Sequence, residues 1–189
     1  MSTSPSPVGV AWPSASIDGV TSVELLAQRV GSPRIVRRVI DAPIDIAWSW
    51  LANIETSIPA FDRTVHHVNI HDRTADLVLM TVKSPFLPAL PFRCHFGDHH
   101  LAMTGPARLY TVILGVSALG PNRTLYVQCE AIPRRLGRLA ARLIARHVNH
   151  DANEVKRLIE ATHTLTASKP TALPVASVEP TDEHQPRSD

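Results

Sequence analysis

Residues 134–162 carry apolar side chains at Leu136, Leu139, Ala140, Leu143, Ile144, Val148, Val155, Leu158 and Ile159. This three-and-four spacing gathers them onto one stripe of a long α-helix. The other side presents Arg135, Arg138, Arg142, Arg146, Asn149, Asn153, Lys156 and Glu160, so the helix docks by one face and is not enclosed. The segments before it read as β-strands. A one-sided helix at the end of such a run needs a sheet to lie on, and no other feature narrows the fold as much.

The strand run begins at 34–40, where Ile35, Arg37 and Val39 alternate with Val36, Arg38 and Ile40. Asp41-Ala42-Pro43 then signals a helix: Pro43 suits the first helical position, and Asp45 favours the dipole in the first turn. Ile44, Ala47, Trp48 and Leu51 form its buried stripe, with an end near Asn53. A second short helical segment is expected at 54–61, interrupted by Pro59. Further strands are expected at 64–70, 75–83, 92–103, 108–117 and 124–132, with turns at Asp72-Arg73, Gly105-Pro106 and 120–123. Connections this short require antiparallel pairing, since a parallel crossover takes a dozen or more residues. The class is therefore α+β: one strand, two short helices, a meander of about five strands, and the long helix.

A chain of 189 residues, 44% apolar and 19% charged, fits one domain with unstructured ends. The domain is expected at 34–163. Residues 1–33 read as a mostly disordered extension with a candidate short helix at 20–30, and 164–189 as a disordered tail, because these Ser-, Pro- and Thr-rich segments bury too little apolar surface to offset their ordering entropy. There is no secretory signal pattern and no run approaching the roughly 20 apolar residues that span a bilayer. A cytoplasmic protein without a transmembrane segment is expected. Net charge is +2, and no aromatic residues interleave with the helix arginines as base stacking favours, so no nucleic-acid partner is expected. Cys94 and Cys129 read as small buried hydrophobes. With the strands in chain order they lie about 9–10 Å apart, on strands separated by one other, too far for a disulfide.

Arg38-Val39-Ile40-Asp41-Ala42-Pro43 leading into Ala47-Trp48-Ser49-Trp50-Leu51, the hairpin Gly120-Pro121-Asn122-Arg123-Thr124, and the terminal Asn153-Glu154-Val155-Lys156-Arg157-Leu158 resemble the START and Bet v 1-like (SRPBCC) superfamily. The likeness is to its bacterial polyketide cyclase/dehydrase-like branch and covers about residues 34–162. It implies a helix-grip fold, a curved antiparallel sheet wrapped around the long C-terminal helix with two short helices after the first strand, and a hydrophobic cavity between sheet and helix. The residues fit this independently. Phe92, Cys94 and Phe96, and again Leu125, Val127, Cys129 and Ala131, give each strand an apolar face, while Arg93, His95, Tyr126, Gln128 and Glu130 take the other. The apolar faces are expected to meet the helix stripe. Trp48, Phe61, Leu79, Phe92, Cys94, Phe96, Val127, Cys129 and Leu143 are accordingly the candidate ligand-binding residues.

Ten histidines invite a metal reading, above all His66, His67 and His71 with His95, His99 and His100. Adjacent histidines on a strand point to opposite faces, so neither a metal nor a cofactor is expected. The paired Cys and His ligands of a Rieske iron-sulfur domain are absent from the sequence, which excludes a standalone oxygenase of that type. His147 lies beside the apolar stripe with Asp151 one turn later, and a carboxylate there can orient an imidazole acting as general base. His147 and Asp151 are the candidate catalytic pair, against an ordinary helix-surface ion pair worth about 0.3–0.5 kcal/mol. The proline-rich connection at 84–91 is either an apolar loop over the cavity mouth or a rigid link on the sheet edge.

Three functions fit. The first is a module binding a hydrophobic or polycyclic small molecule, lipid or polyketide-like. The second is an aromatase/cyclase-type enzyme working on a polyketide-like substrate in the same cavity. The third is an interaction protein whose arginine-rich helix face meets a partner or an anionic membrane surface.

Overall fold

The computed structural model describes residues 17–85, 88–132 and 137–167. In chain order the elements are α1 (Gly19–Ala27), β1 (Arg34–Ile40), α2 (Ile44–Ala52), α3 (Ile54–Phe61), β2 (His67–Arg73), β3 (Leu77–Lys83), β4 (Leu90–Gly97), β5 (His100–Thr104), β6 (Thr111–Gly120), β7 (Arg123–Ala131) and α4 (Gly137–Ala167). The seven strands form one antiparallel sheet in the order β1-β7-β6-β5-β4-β3-β2. With α4 lying over β1 and β7, this is the helix-grip α+β architecture.

The strand expected at 92–103 is two strands. Gly97 pairs with His100 across a two-residue turn, and His99 takes φ 54° there. The meander therefore has six strands, and two of them, β5 and β6, lie between Cys94 on β4 and Cys129 on β7. At about 4.8 Å per strand the two cysteines are some 14 Å apart, wider than the sequence spacing implied. The turn expected at Asp72-Arg73 falls later, at 74–76. A bulge between Ile70 and Asp72 carries β2 on to Arg73, and Thr74 N–H donates to Leu77 O at 2.8 Å to close the turn. The 120–123 hairpin forms as expected, with Gly120 opposite Arg123.

The inner face of the sheet, with Val78, Met80, Cys94, Leu101, Leu114 and Tyr126, packs against Ala47 and Leu51 of α2, Ile54, Ile58 and Phe61 of α3, and Ala152, Val155 and Ile159 of α4. Pro59 sits inside α3 without ending it.

The outer face of β6 and β7 is covered as well. Val20, Val23 and Ala27 of α1 pack on Ile113, Val127 and Cys129. Residues 19–27 thus belong to the folded body, although the sequence reading starts the domain at Arg34. Asp18 caps α1, accepting from Val20 N at 3.0 Å, Thr21 N at 3.1 Å and Thr21 Oγ1 at 2.7 Å, and it also accepts from Ser117 Oγ of β6. Arg37 of β1 holds Glu24 at 2.5 Å. Helix and sheet meet through two glycines: a Cβ on Gly115 would lie 2.5 Å from Gly19 O and 2.5 Å from Val23 Cγ2.

The polar side of α4 is not simply solvated. Arg38 of β1 donates to Asn153 Oδ1 at 2.7 Å and to Asn149 Oδ1 at 3.1 Å, and Lys156 Nζ donates to Val39 O at 2.7 Å and to Glu160. Glu160 Oε1 accepts Asp41 N–H at 2.9 Å. α4 continues to Ala167, past the expected start of the tail at 164. The expected disordered ends at 1–16 and 168–189 lie outside the described residues.

Two substitutions test the docking of α1. Gly115→Ala forces backbone apart and should raise amide exchange across 19–27 while leaving the β3–β4 hairpin protected. Asp18→Ala should cost about 1 kcal/mol in urea unfolding. Hydrogen bonds from Ser117 and Thr21 hold the Asp18 carboxyl down at about 2, from an ordinary value of 3.8. Its contribution is therefore full above about pH 4 and is lost as pH falls toward 2, so wild type and variant should converge in stability at the acid end.

Candidate functional site

Between the sheet and the start of α4 lies a cavity of about 660 Å³. Its walls are mostly apolar: Val65, Val82, Pro88, Leu90, Phe92, Pro106, Leu109 and Ile144. Asp62, Thr64, Ser84, Tyr110 and His147 supply the polar groups. Between the lining residues Pro106 and Leu109 the backbone is strained, with Ala107 and Arg108 in the left-handed region at φ 49° and 55°.

Each polar group is placed by a different element. α3 ends at Phe61, and Asp62 then turns back through Thr64, whose N–H and Oγ1 donate to Asp62 Oδ1 at 2.8 and 2.7 Å. His147 and Asp151 stand one turn apart on α4, with His147 Nε2 at 3.1 Å from Asp151 Oδ2 and 3.6 Å from Asp62 Oδ1. At 3.6 Å the second contact is an ion pair and not a hydrogen bond. On β7, Tyr126, Gln128 and Glu130 share the inner face at a spacing of two and are all fully buried. Tyr126 donates to Gln128 Oε1 at 2.9 Å, Gln128 Nε2 to Glu130 Oε1 at 2.7 Å, and Tyr110 Oη to Glu130 Oε2 at 2.5 Å. This ladder links the interior to the cavity wall at Tyr110.

Crowding of acids around one imidazole moves the protonation of all of them. Asp62, then Asp151 and Glu130, lift His147 from 6.5 to about 9 against its burial. Burial would raise Asp62, but the His147 imidazole beside it and the hydrogen bonds from Thr64 hold it below its usual range. Burial, followed by the nearby Asp62 charge, pushes Asp151 up to about 8. Burial raises Glu130 despite the Tyr110 hydrogen bond. Burial and the Glu130 charge push Tyr110 well above the phenol range.

The sequence-expected residues divide. Phe92 and His147 line the cavity, and Asp151 joins His147. Phe61 and Cys94 are buried in the main core, with Trp48 and Phe96 packed on it. Trp48 meets Phe96 and His99 edge-on at 6.4 and 5.8 Å between ring centres. These four are core residues away from the cavity lining. Val127 and Cys129 face α1 on the back of the sheet, which corrects their expected place on the ligand side. Leu79 also faces outward, on the side of Arg93 and 36% exposed, beside a neighbouring recess of about 560 Å³. The side chain of Leu143 lies outside the described residues, as do Phe86 and Leu87 of the proline-rich connection and Arg135 of the arginine-rich face. Arg142 and Arg146 are exposed.

Four functional candidates went unseen in sequence: Asp62, Tyr110, Gln128 and Glu130. Asp62 and Tyr110 sit outside regular elements and carry no periodic signal. The sequence pattern puts Gln128 and Glu130 on the face opposite the helix stripe, because the apolar alternates of a strand normally take the inside. The amphipathic segment at 20–30 was the available clue, since its apolar side needed the other face of that strand.

No protein-family model and no curated protein sequence matches the chain. Solved structures do. A START superfamily protein from Mycobacterium smegmatis aligns with TM-score 0.55 at 13% identity, over 69% of this chain and 98% of that one. Zhui aromatase/cyclase from a Streptomyces strain aligns at 0.53 and 12%, over 72% and 97%. The di-domain aromatase/cyclase StfQ from the steffimycin biosynthetic pathway aligns at 0.54 and 14%, over 78% of this chain and 55% of that one. At these identities the likeness is one of fold: the chain has the helix-grip architecture of START and aromatase/cyclase structures.

Proposed function

We propose that the chain binds one apolar small molecule, polycyclic or lipid-like, between the sheet and the first turns of α4. Its oxygen-bearing end is oriented toward Tyr110, Asp62 and His147. The supporting observation is the cavity itself. Its volume of about 660 Å³ lies in the roughly 300–1,000 Å³ range of small-molecule sites, and its apolar walls end in a few convergent polar groups. Apolar area supplies affinity in such a site, and the polar end supplies orientation. The aromatase/cyclase structures with the same fold add support for a ligand of polyketide type.

Native mass spectrometry of the protein purified from its own host should show a co-purifying hydrophobic molecule. Ile144→Trp, which fills the cavity from α4, should remove it without loss of fold. Retention of the molecule in that variant places it elsewhere and removes the reading.

The polar ladder favours a second reading, an aromatase/cyclase-type enzyme. Tyr110 carries a proton at the cavity wall and is backed by the buried Glu130, while His147, paired with Asp151, lines the same cavity from α4. A cavity that folds a reactive chain against such groups combines proximity with proton transfer. With a poly-β-ketone thioester mimic, Tyr110→Phe should lower kcat by about 100-fold and leave KM little changed. Unaltered kcat removes the enzymatic reading and leaves the binding one intact.

A further inference from the structure

We propose that Asp62, His147 and Asp151 form a site for one divalent transition-metal ion that opens onto the cavity. Among the described residues they are the one group of three whose donor atoms, one from each residue, lie within 4.8 Å of one another. A single ring nitrogen, His147 Nε2, faces both carboxylates at 3.1 and 3.6 Å. Donors bound to one ion at about 2.0–2.2 Å sit about 3–3.5 Å from each other, so only a slight closure is needed. One N–H, by contrast, aligns well with only one of the two carboxylates.

A second observation stands apart from that clustering. Asp151 is 0% exposed, and neither of its carboxylate oxygens has a hydrogen-bond partner. A carboxylate removed from water without hydrogen bonds is costly unless a cation compensates it. Asp151 forms an ion pair with His147 Nε2 at 3.1 Å, an atom it shares with Asp62. The nearby Glu130 is not one of the three, and its two oxygens are held by Gln128 and Tyr110.

The donor set indicates the kind of ion. One imidazole and two carboxylates suit zinc, manganese or ferrous iron better than calcium, which prefers six or more oxygens. Three protein donors leave a coordination position free, as in catalytic and not structural zinc sites. Asp62 and His147 line the cavity, so the free position faces it and would accept a ligand oxygen. The site stands on its own geometry, whatever the apolar part of the cavity holds.

The test is calorimetric titration of the full-length, chelator-treated protein with Zn²⁺ and, separately, Mn²⁺. One ion per chain is expected for at least one of them. Asp151→Asn and Asp62→Asn, close in shape but uncharged, should each weaken it by at least about 10-fold, and His66→Ala should not. The metal should raise the melting temperature of wild type but not of Asp151→Asn, whose own melting temperature in chelator should equal or exceed that of wild type. Asp62 lies off α4, so its variant serves if the Asp151 change perturbs the helix. No binding at stoichiometric metal, or binding that survives both Asn substitutions, overturns the site.

Discussion

The contact of α1 with the back of β6 and β7 decides which side chains β7 turns to the interior. A strand in an antiparallel sheet with one wet face sends its apolar alternates inward and its polar ones to water. Here the apolar alternates of β7, Val127 and Cys129, are taken by Val20, Val23 and Ala27 of α1. Tyr126, Gln128 and Glu130 are therefore turned toward α4. A buried polar ladder is the consequence, and it holds only because each member has a partner, down to the phenol of Tyr110. The two close glycines and the Asp18 cap, trivial as sequence features, are what let the helix approach near enough to impose this arrangement.

The fold was legible where local pattern and tertiary demand agree. β1 and the two short helices appear at their expected positions, and the stripe of α4 is buried at Val148, Val155 and Ile159. The Gly97–His100 turn was missed because it contains no proline, and its φ-positive residue is His99 and not a glycine. The site was much less legible. His147 with Asp151 follows from helical spacing alone, but Asp62 reaches them from a loop some 85 residues away in sequence, a distance no periodicity reports. Glu130 was lost for a different reason: period two gives the partition of a strand into faces and not which face is inside.

The cavity occupies only one end of the space between helix and sheet. From Val148 to Ile159 the stripe of α4 is packed solid against the core, and Trp48, Phe61, Cys94 and Phe96 belong to that filled part. Toward the start of α4 the packing gives way to the recess around Phe92, Leu109 and Ile144. The acidic cluster stands at the junction of the two regimes. Its low-polarity surroundings strengthen every electrostatic contact there, whether the ligand met is a proton, a cation or an oxygen atom.

The hold of α4 on β1 bears on the open borders of the sheet. A sheet that does not close has two borders, and each offers unpaired backbone groups to any neighbouring chain. At the β1 border, Lys156 takes the Val39 carbonyl, Glu160 takes the Asp41 amide, and Arg38 is clamped by two asparagines. At the β2 border, protection comes from the bulge between Ile70 and Asp72 and from exposed His71, Asp72 and Arg73. The polar face of the terminal helix thus occupies backbone groups that an edge strand otherwise offers to another chain, a role separate from anything its apolar stripe does.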